Sequence, residues 1–513
     1  MGGAAARASG ILLHPSSLPG GFGIGELGSA ATRFLDWLSD SGQSLWQLLP
    51  LGPTGFGDSP YACFSSFAGN PLLVSLERLL ALRLLLPEEL GDMPPFSPDR
   101  VDYGALISWK LPLLRRAADR FLASPPGDLG PRFESFRAAE AWWLDDYALF
   151  AALKTRMSGA WNRAWPRPVA LREPRELERL RGEMRAEIER ERVIQLFFFT
   201  QWNEVRVQAA ARGIRIIGDL PIFAASDSAD VWSHRELFLL DGAGRPTRVS
   251  GVPPDYFAAT GQLWGNPLYD WDALRREGFR FWIDRVRAAF RLFDLVRVDH
   301  FRGFEACWSV PADAPTAESG EWVTVPGDEL FGALRGALGD LPIIAEDLGV
   351  ITPEVAALRE RVGFPGMRIL QFAFDIGEAG RLDASNRFLP HNHAADSVVY
   401  TGTHDNDTSR GWWEKRSDAE RAYFERYAPG PDEEIEWRLI RMAFASVCRF
   451  AVVPMQDVLG LGSEARLNAP GTSGSANWSW RAPERSLDAG TAHRLRELAE
   501  LYGRSPPRAN AIP

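Results

Sequence analysis

Apolar residues in this chain fall into short dense runs separated by longer stretches of amphipathic spacing. Eight runs rich in Val, Ile and Leu stand out: Gly10–His14, Leu45–Leu49, Ile214–Ile217, Leu295–Val298, Leu341–Ala345, Arg368–Phe372, Ser397–Tyr400 and Ala451–Pro454. Runs this short and this continuous read as strands buried on both faces of a parallel sheet. Between them, apolar residues recur at helical spacing, as in Ala31, Phe34, Leu35 and Leu38, and in Phe279, Ile283, Val286 and Phe290. That spacing predicts amphipathic helices. Eight β-then-α units predict an α/β fold, a (β/α)8 TIM barrel spanning residues 1–513 as one unit. A doubly wound sheet is the alternative if the shortest runs are rejected.

The runs are unevenly spaced. About 160 residues separate the second from the third, far more than a helix and two loops need. A second excess lies between Ile217 and Leu295. Both are expected to be large, mostly helical insertions on the C-terminal face of the barrel, covering approximately residues 56–200 and 224–290. Within the first, the charge-rich Arg172–Arg192 predicts one solvated helix. No internal repeat or low-complexity linker interrupts the pattern.

Composition narrows the classes of function. The net charge is −10 and the 57 basic residues form no block, which argues against a nucleic-acid partner. Three distant cysteines, Cys63, Cys307 and Cys448, form no CxxC pair and suit a reducing compartment. Residues 1–10 carry no apolar core of a secretory signal, and no apolar run reaches the length of a membrane span. A cytoplasmic protein without a membrane partner is expected. Lysine occurs only at Lys110, Lys154 and Lys415, none in a strand-end or Gly-rich context, which disfavours Schiff-base and P-loop chemistry. The 19 tryptophans suit core packing, and also stacking on the apolar faces of sugar rings.

In a barrel, chemistry sits just past the C-terminal ends of the strands. There the third run presents Asp219. The fourth presents Arg297, Asp299 and His300, the fifth Glu346 and Asp347, the seventh His404, Asp405 and Asp407, and the eighth Asp457. For Asp347, Asp407 and Asp457 a helix cap or loop role is the better reading. The remaining carboxylates would converge on one mouth, where like charges are costly unless chemistry uses them. Glycoside cleavage needs such a set: one carboxylate to attack the anomeric carbon, one acid to protonate the leaving oxygen, and one to favour the positive transition state. Arg297 lies two residues before Asp299, on the same strand face, and would hold it ionised. Glu346 follows an apolar run, where desolvation raises a carboxyl toward the range of a general acid.

RVDHFRGFE, IIAEDLG and TGTHDND, in this order, resemble the motifs of glycoside hydrolase family 77, the amylomaltases. LLHPSSLPGGFGIGELG, WQLLPLGPTGFGDSPYACFSSFAGNP, GDLPIFAASDSADVW, GVPPDYFAATGQLWGNPLYDW and LGLGSEARLNAPG extend the resemblance over nearly the whole chain. It implies a retaining (β/α)8 enzyme without a C-terminal β-domain. Such an enzyme is a 4-α-glucanotransferase that moves a segment of an α-1,4-glucan to the 4-hydroxyl of glucose or of another glucan. α-1,4-Glucans, maltooligosaccharides and glucose would be its partners, with no cofactor and no metal. The resemblance assigns Asp299 as nucleophile, Glu346 as general acid/base and Asp405 as transition-state stabiliser. It places Tyr61 beneath the sugar whose bond is cut, with Asp219, Arg297, His300 and His404 holding that sugar. Asp255, Gln262 and Trp264 fall in a loop folded over the substrate, and Asn477 is a further sugar contact. Phe56, where the family commonly has Tyr, and Tyr103 would form a second, remote glucan site. Cys63 is expected to be a buried bystander.

Three rival readings remain. Gly23-Ile24-Gly25-Glu26-Leu27-Gly28 matches GxGxxG, but prolines intervene and the second run lacks a ribose-binding acid. His391 and His393 with His404, Asp405 and Asp407 could ligate a metal. A non-catalytic glucan-binding protein would not need Arg-x-Asp, Glu and Asp at three strand ends. Transfer in preference to hydrolysis requires exclusion of water. The Pro- and Gly-containing segment Gly251–Tyr269 reads either as a lid or as a rigid cover.

Overall fold

Each of the eight apolar runs becomes a parallel strand, and together the strands account for the barrel. The computed structural model describes residues 7–254, 259–376, 383–430, 432–472, 474 and 476–506. Its strands in chain order are β1 (Ala8–Leu12), β2 (Leu45–Gln47), β3 (Arg215–Leu220), β4 (Arg248–Val252), β5 (Gln262–Pro267), β6 (Leu295–Val298), β7 (Ala306–Pro311), β8 (Glu321–Thr324), β9 (Ile343–Ala345), β10 (Gly366–Ile369), β11 (Ser397–Tyr400) and β12 (Phe450–Pro454). The barrel sheet runs β10-β11-β12-β1-β2-β3-β6-β9. The remaining seam, between β9 and β10, is bridged by Ala345 N–H donating to Pro365 O at 2.9 Å.

Boundaries shift where pairing overrides composition. β1 begins two residues before its apolar run because Ala8 pairs with Phe450, and it ends before Pro15 opens a 3-10 turn. β3 continues past the apolar Ile217 through Gly218, Asp219 and Leu220, because all three pair with β6. The sixth run starts at Gly366, and Leu370–Phe372 leaves the sheet as a 3-10 turn.

The helices bury the faces that their spacing marks. Ala31, Phe34, Leu35 and Leu38 on the helix Ser29–Asp40 are all fully buried. Full burial of each large apolar side chain contributes about 1.5–3 kcal/mol. Trp46, inside β2, is fully buried and donates its indole N–H to Leu13 O at 2.7 Å. No described helix is long and apolar enough to cross a membrane.

The long stretch after β2 is helical, dominated by Tyr103–Ala123, Leu129–Met157 and Arg185–Ala211. Arg172–Arg192 is not one helix: it breaks at Met184 (φ −107°, ψ 22°), whose side chain is buried, between Pro174–Glu183 and Arg185–Ala211. The other insertions also carry a second sheet that periodicity did not indicate. It is antiparallel, in the order β5-β4-β7-β8, and draws two strands from the segment after β3 and two from the segment after β6. Gln262–Pro267, within the segment read as lid or cover, is thus hydrogen-bonded to β4. Just beyond, the buried Tyr269 donates its hydroxyl to Ile222 O at 2.9 Å. Among the described residues no strand follows β12.

The GxGxxG segment is a packing element. A Cβ on Gly25 would meet Pro15 O at 1.9 Å, Glu26 forms a buried ion pair with Lys110, and the following helix N-terminus receives the Glu77 carboxylate on Ser29. Asp347, Asp407 and Asp457 also serve structure. Asp407 binds Lys415 and Ser463, and Asp457 accepts from Thr401 Oγ1 and from the backbone N–H and hydroxyl of Ser409. Asp347 accepts the backbone N–H of Met367.

Candidate active site

The barrel register sets the first pair of the site. Asp219 on β3 stands directly beside Arg297 on β6, and Arg297 stands beside Ile344 on β9. Arg297 Nη1 reaches both Asp219 oxygens, at 2.8 and 2.7 Å. The same nitrogen lies 3.0 Å from Asp299 Oδ1, and Nη2 lies 3.9 Å from Glu346 Oε2. One buried guanidinium therefore binds three carboxylates from three strand ends. Burial works against the charge on Arg297, but Asp219, Asp299, Tyr61 and Glu346 outweigh it and raise the group above its ordinary value.

The backbone around these groups extends the ladders past the strand ends. Asp299 N–H donates to Leu220 O at 3.0 Å and Glu346 N–H to Val298 O at 3.0 Å. His300 then turns into the left-handed region (φ +49°), a costly conformation for a non-Gly residue. The turn aims its N–H at Glu346 Oε2, 2.7 Å away, and Leu348 N–H donates to the other oxygen at 2.8 Å. Even so, burial lifts the Glu346 carboxyl to about 8, against the pull of Arg297 and both backbone donors, with Asp299 adding to the rise. Asp219 is lifted to about 6 by burial, against Arg297 and the Tyr61 hydroxyl, which donates to it at 2.8 Å.

Across the mouth, His404 and Asp405 follow β11 in a turn braced by Asn406 Oδ1, which accepts from Thr403 N and Oγ1, both at 2.9 Å. Asp405 Oδ2 lies 3.3 Å from His404 Nε2, and Oδ1 accepts from Asn468 Nδ2 at 2.6 Å. Burial pushes this carboxyl up, but His404, Asn468 and Arg297 together hold it at about 2. Three acids in one mouth are thus differentiated. Asp405 is ionised, Glu346 keeps its proton at neutral pH, and Asp299 lies against a cation.

The aromatic ring of Tyr61, from the loop after β2, stacks on His404 at 5.2 Å and 17°, with Trp478 5.7 Å away. Trp264 on β5 meets the His300 ring edge-on at 4.8 Å and donates its indole N–H to Gln262 Oε1 at 3.2 Å. Trp264 is 39% exposed.

Tyr61, Asp219, Arg297, Asp299, His300, Glu346, His404 and Asp405 therefore come together, with Gln262 and Trp264 at their edge. Asp255 lies outside the described residues. Asn477 spends its amide on its own loop, accepting from Ala469 N and donating to Thr472 O and Oγ1. Phe56 is 87% exposed, whereas Tyr103 is 8% exposed and donates its hydroxyl to Trp478 O. Cys63 is half-buried, not buried as expected, and desolvation raises its thiol to about 12. His391 and His393 precede β11, at the opposite end of the strand from His404, and bind Tyr427, Ser446 and the carbonyls of Ala384 and Phe388. Sequence reasoning missed Asn468, although it lies in the quoted LGLGSEARLNAPG segment. It also missed Arg466, whose Nη2 donates to Asp405 O at 2.6 Å.

Comparison with known proteins agrees with this fold. The family model for glycoside hydrolase family 77, described as 4-alpha-glucanotransferase, matches residues 13–487. The 4-alpha-glucanotransferase of Thermus thermophilus is 52% identical over 507 residues, covering 97% of this chain and 99% of that protein. The 4-alpha-glucanotransferase of Synechocystis is 49% identical over 502 residues, covering 97% and 98%. Among solved structures, the amylomaltase from Streptococcus agalactiae in complex with acarbose superimposes with a TM-score of 0.93 at 37% identity, covering 98% of this chain and all of that one. Motifs, barrel and end-to-end similarity converge: the chain belongs to glycoside hydrolase family 77, the 4-alpha-glucanotransferases.

Proposed function

We propose that Asp299 is the nucleophile, Glu346 the general acid/base and Asp405 the transition-state stabiliser of the 4-α-glucanotransferase reaction that this family member catalyses. The observation that carries the assignment is the single Arg297 guanidinium at 3.0 Å from Asp299 and 3.9 Å from Glu346, beside a Glu346 carboxyl lifted to about 8 by burial. Arg297 lies against Asp299 and fixes its orientation, as a nucleophile requires. Glu346 retains the proton that the leaving 4-oxygen requires.

Asp299 attacks the anomeric carbon while Glu346 gives its proton to the departing glucan. Glu346, now a carboxylate, then takes the proton of an acceptor 4-hydroxyl, which displaces Asp299 with net retention. Asp405, ionised throughout, favours the positive charge that develops on the ring in both steps. Tyr61 supports that ring from below, and Asp219, Arg297, His300 and His404 hold its hydroxyls. Gln262 and Trp264 line the adjoining chain. Donors would be α-1,4-glucans and maltooligosaccharides, and acceptors glucose or the same glucans. The free thiols Cys63, Cys307 and Cys448 suit a cytoplasmic setting.

Incubation with maltotriose alone tests this reading. Free glucose with a growing ladder of maltopentaose and longer chains is the expected product pattern. Glucose and maltose without longer products would instead make water the acceptor and the enzyme a hydrolase.

A further inference from the structure

The acid/base assignment leaves unexplained what holds Glu346 at the barrel seam. β9 and β10 are joined through Ala345 N–H and Pro365 O. At the next position a side chain continues the ladder: Asp347 Oδ1 accepts the Met367 N–H at 2.7 Å. A Cβ on Gly366 would lie 2.5 Å from Asp347 Oδ2, so the carboxylate packs on bare backbone. Its other oxygen faces three guanidiniums, Arg359 Nε at 3.5 Å, Arg368 Nη1 at 3.6 Å and Arg387 Nη1 at 3.5 Å. Arg387 also donates to Asp347 O. Each arginine comes from a different element: the helix Pro353–Val362, strand β10 and the segment before β11. Arg359 and Arg368 are also tied to backbone carbonyls, at Phe364 and Met367. Asp347 is 2% exposed, and its carboxylate is engaged by the Met367 N–H and the three arginines.

Resting on the reading of Glu346 as acid/base, we propose that Asp347 is a positioning residue for Glu346. It locks the end of β9 to β10 so that Glu346 meets the His300 and Leu348 N–H groups, and it screens the three-arginine cluster from the catalytic proton. Glu346 then faces Arg297 and Asp299 in front and, behind Asp347, Arg359, Arg368 and Arg387. Neutralising Asp347 lets the cluster favour the Glu346 carboxylate, and removing Arg387 does the opposite. The two substitutions must therefore move the alkaline limb of activity, where the acid loses its proton, in opposite directions.

The experiment compares Asp347→Asn and Arg387→Gln with wild type on two donors. Maltotriose needs a proton on its leaving group. α-Maltotriosyl fluoride with azide as acceptor needs neither an acid nor a base. Asp347→Asn is expected to lose about 10²-fold in kcat/KM on maltotriose and to stay within about threefold on the fluoride with azide. Its alkaline limb should move about one pH unit downward, and that of Arg387→Gln upward. Equal losses on both donors would make Asp347 only a barrel clasp and overturn the proposal. Limbs moving together, or not at all, would overturn it too. If Asp347→Asn does not fold, the upward shift in Arg387→Gln still decides. Glu346→Ala is the control for the underlying reading: if the fluoride and azide fail to restore its turnover, the acid/base assignment itself is wrong, whatever the Asp347 variant does.

Discussion

Replacing Glu346 with Gln should stabilise the protein against alkali even as it removes the proposed acid. Because the fold lifts this carboxyl from 4.5 to about 8, the folded chain binds the proton more tightly than the unfolded chain. The associated stability is full below 4.5 and is lost as pH rises through about 8. At about 1.36 kcal/mol per pH unit over that interval, the loss reaches about 5 kcal/mol. An unfolding entropy of about 2.1 cal/mol/K per residue over 513 residues makes this about 4–5 °C in Tm. Gln cannot ionise, so the variant escapes this loss. Its NH2 must face the N–H of His300 or Leu348, which costs about 1–3 kcal/mol at every pH and cancels when one protein is compared with itself. Calorimetry of both proteins at pH 5 and pH 9, at fixed ionic strength, reads the difference of differences. Over the part of the interval that lies above pH 5, about 4 kcal/mol, wild type should lose about 3–4 °C more than Glu346→Gln between the two. Equal losses would mean that Glu346 is not held protonated by the fold, and the general-acid argument from burial would go with it.

Asp299→Asn should abolish turnover while leaving glucan affinity within a few-fold by calorimetric titration; retained activity would remove the nucleophile assignment. Asn468→Ala withdraws a donor that helps hold Asp405 at about 2, so the acid limb of the pH–rate profile should move to higher pH and kcat/KM should fall about 10-fold or more. An unmoved acid limb would deny Asn468 that part. Arg297→Lys cannot reproduce a guanidinium that meets Asp219 and Asp299 through Nη1 and Glu346 through Nη2, and should cost about 3–5 kcal/mol of stability by denaturant titration with nearly all activity lost; wild-type stability would show that the cluster is dispensable.

What the sequence made legible follows from locality. Strand cores and the carboxylates just beyond them were readable because each is a run of a few residues with a strong pattern. Asp219 was readable as a site residue but not as part of β3, since Gly218 and Asp219 end the apolar run and only pairing with β6 extends the strand. The second sheet stayed hidden because its strands Arg248–Val252 and Gln262–Pro267 contain glycine, and the first of them also pairs with β7, some way along the chain. Met184 gives no signal for the break in Arg172–Arg192, being a good helix former. The burial of Tyr103 did have a signal. Tyr103, Leu106, Lys110, Leu113 and Leu114 share one helical face, and all are buried. Asp347 looked like a loop acid because Arg359, Arg368 and Arg387 are scattered in sequence and meet only at the seam.

The antiparallel roof has a consequence for how this enzyme can be rebuilt. β4 is bonded on one side to β5, which carries Gln262 and Trp264, and on the other to β7, which leaves the turn that carries Asp299 and His300. Grafting residues 248–267 alone from a relative would bring in a strand whose far edge must match a ladder inherited from the other parent. A chimera that exchanges this segment together with residues 306–324 transfers the whole ladder, so that every pairing in it comes from one parent.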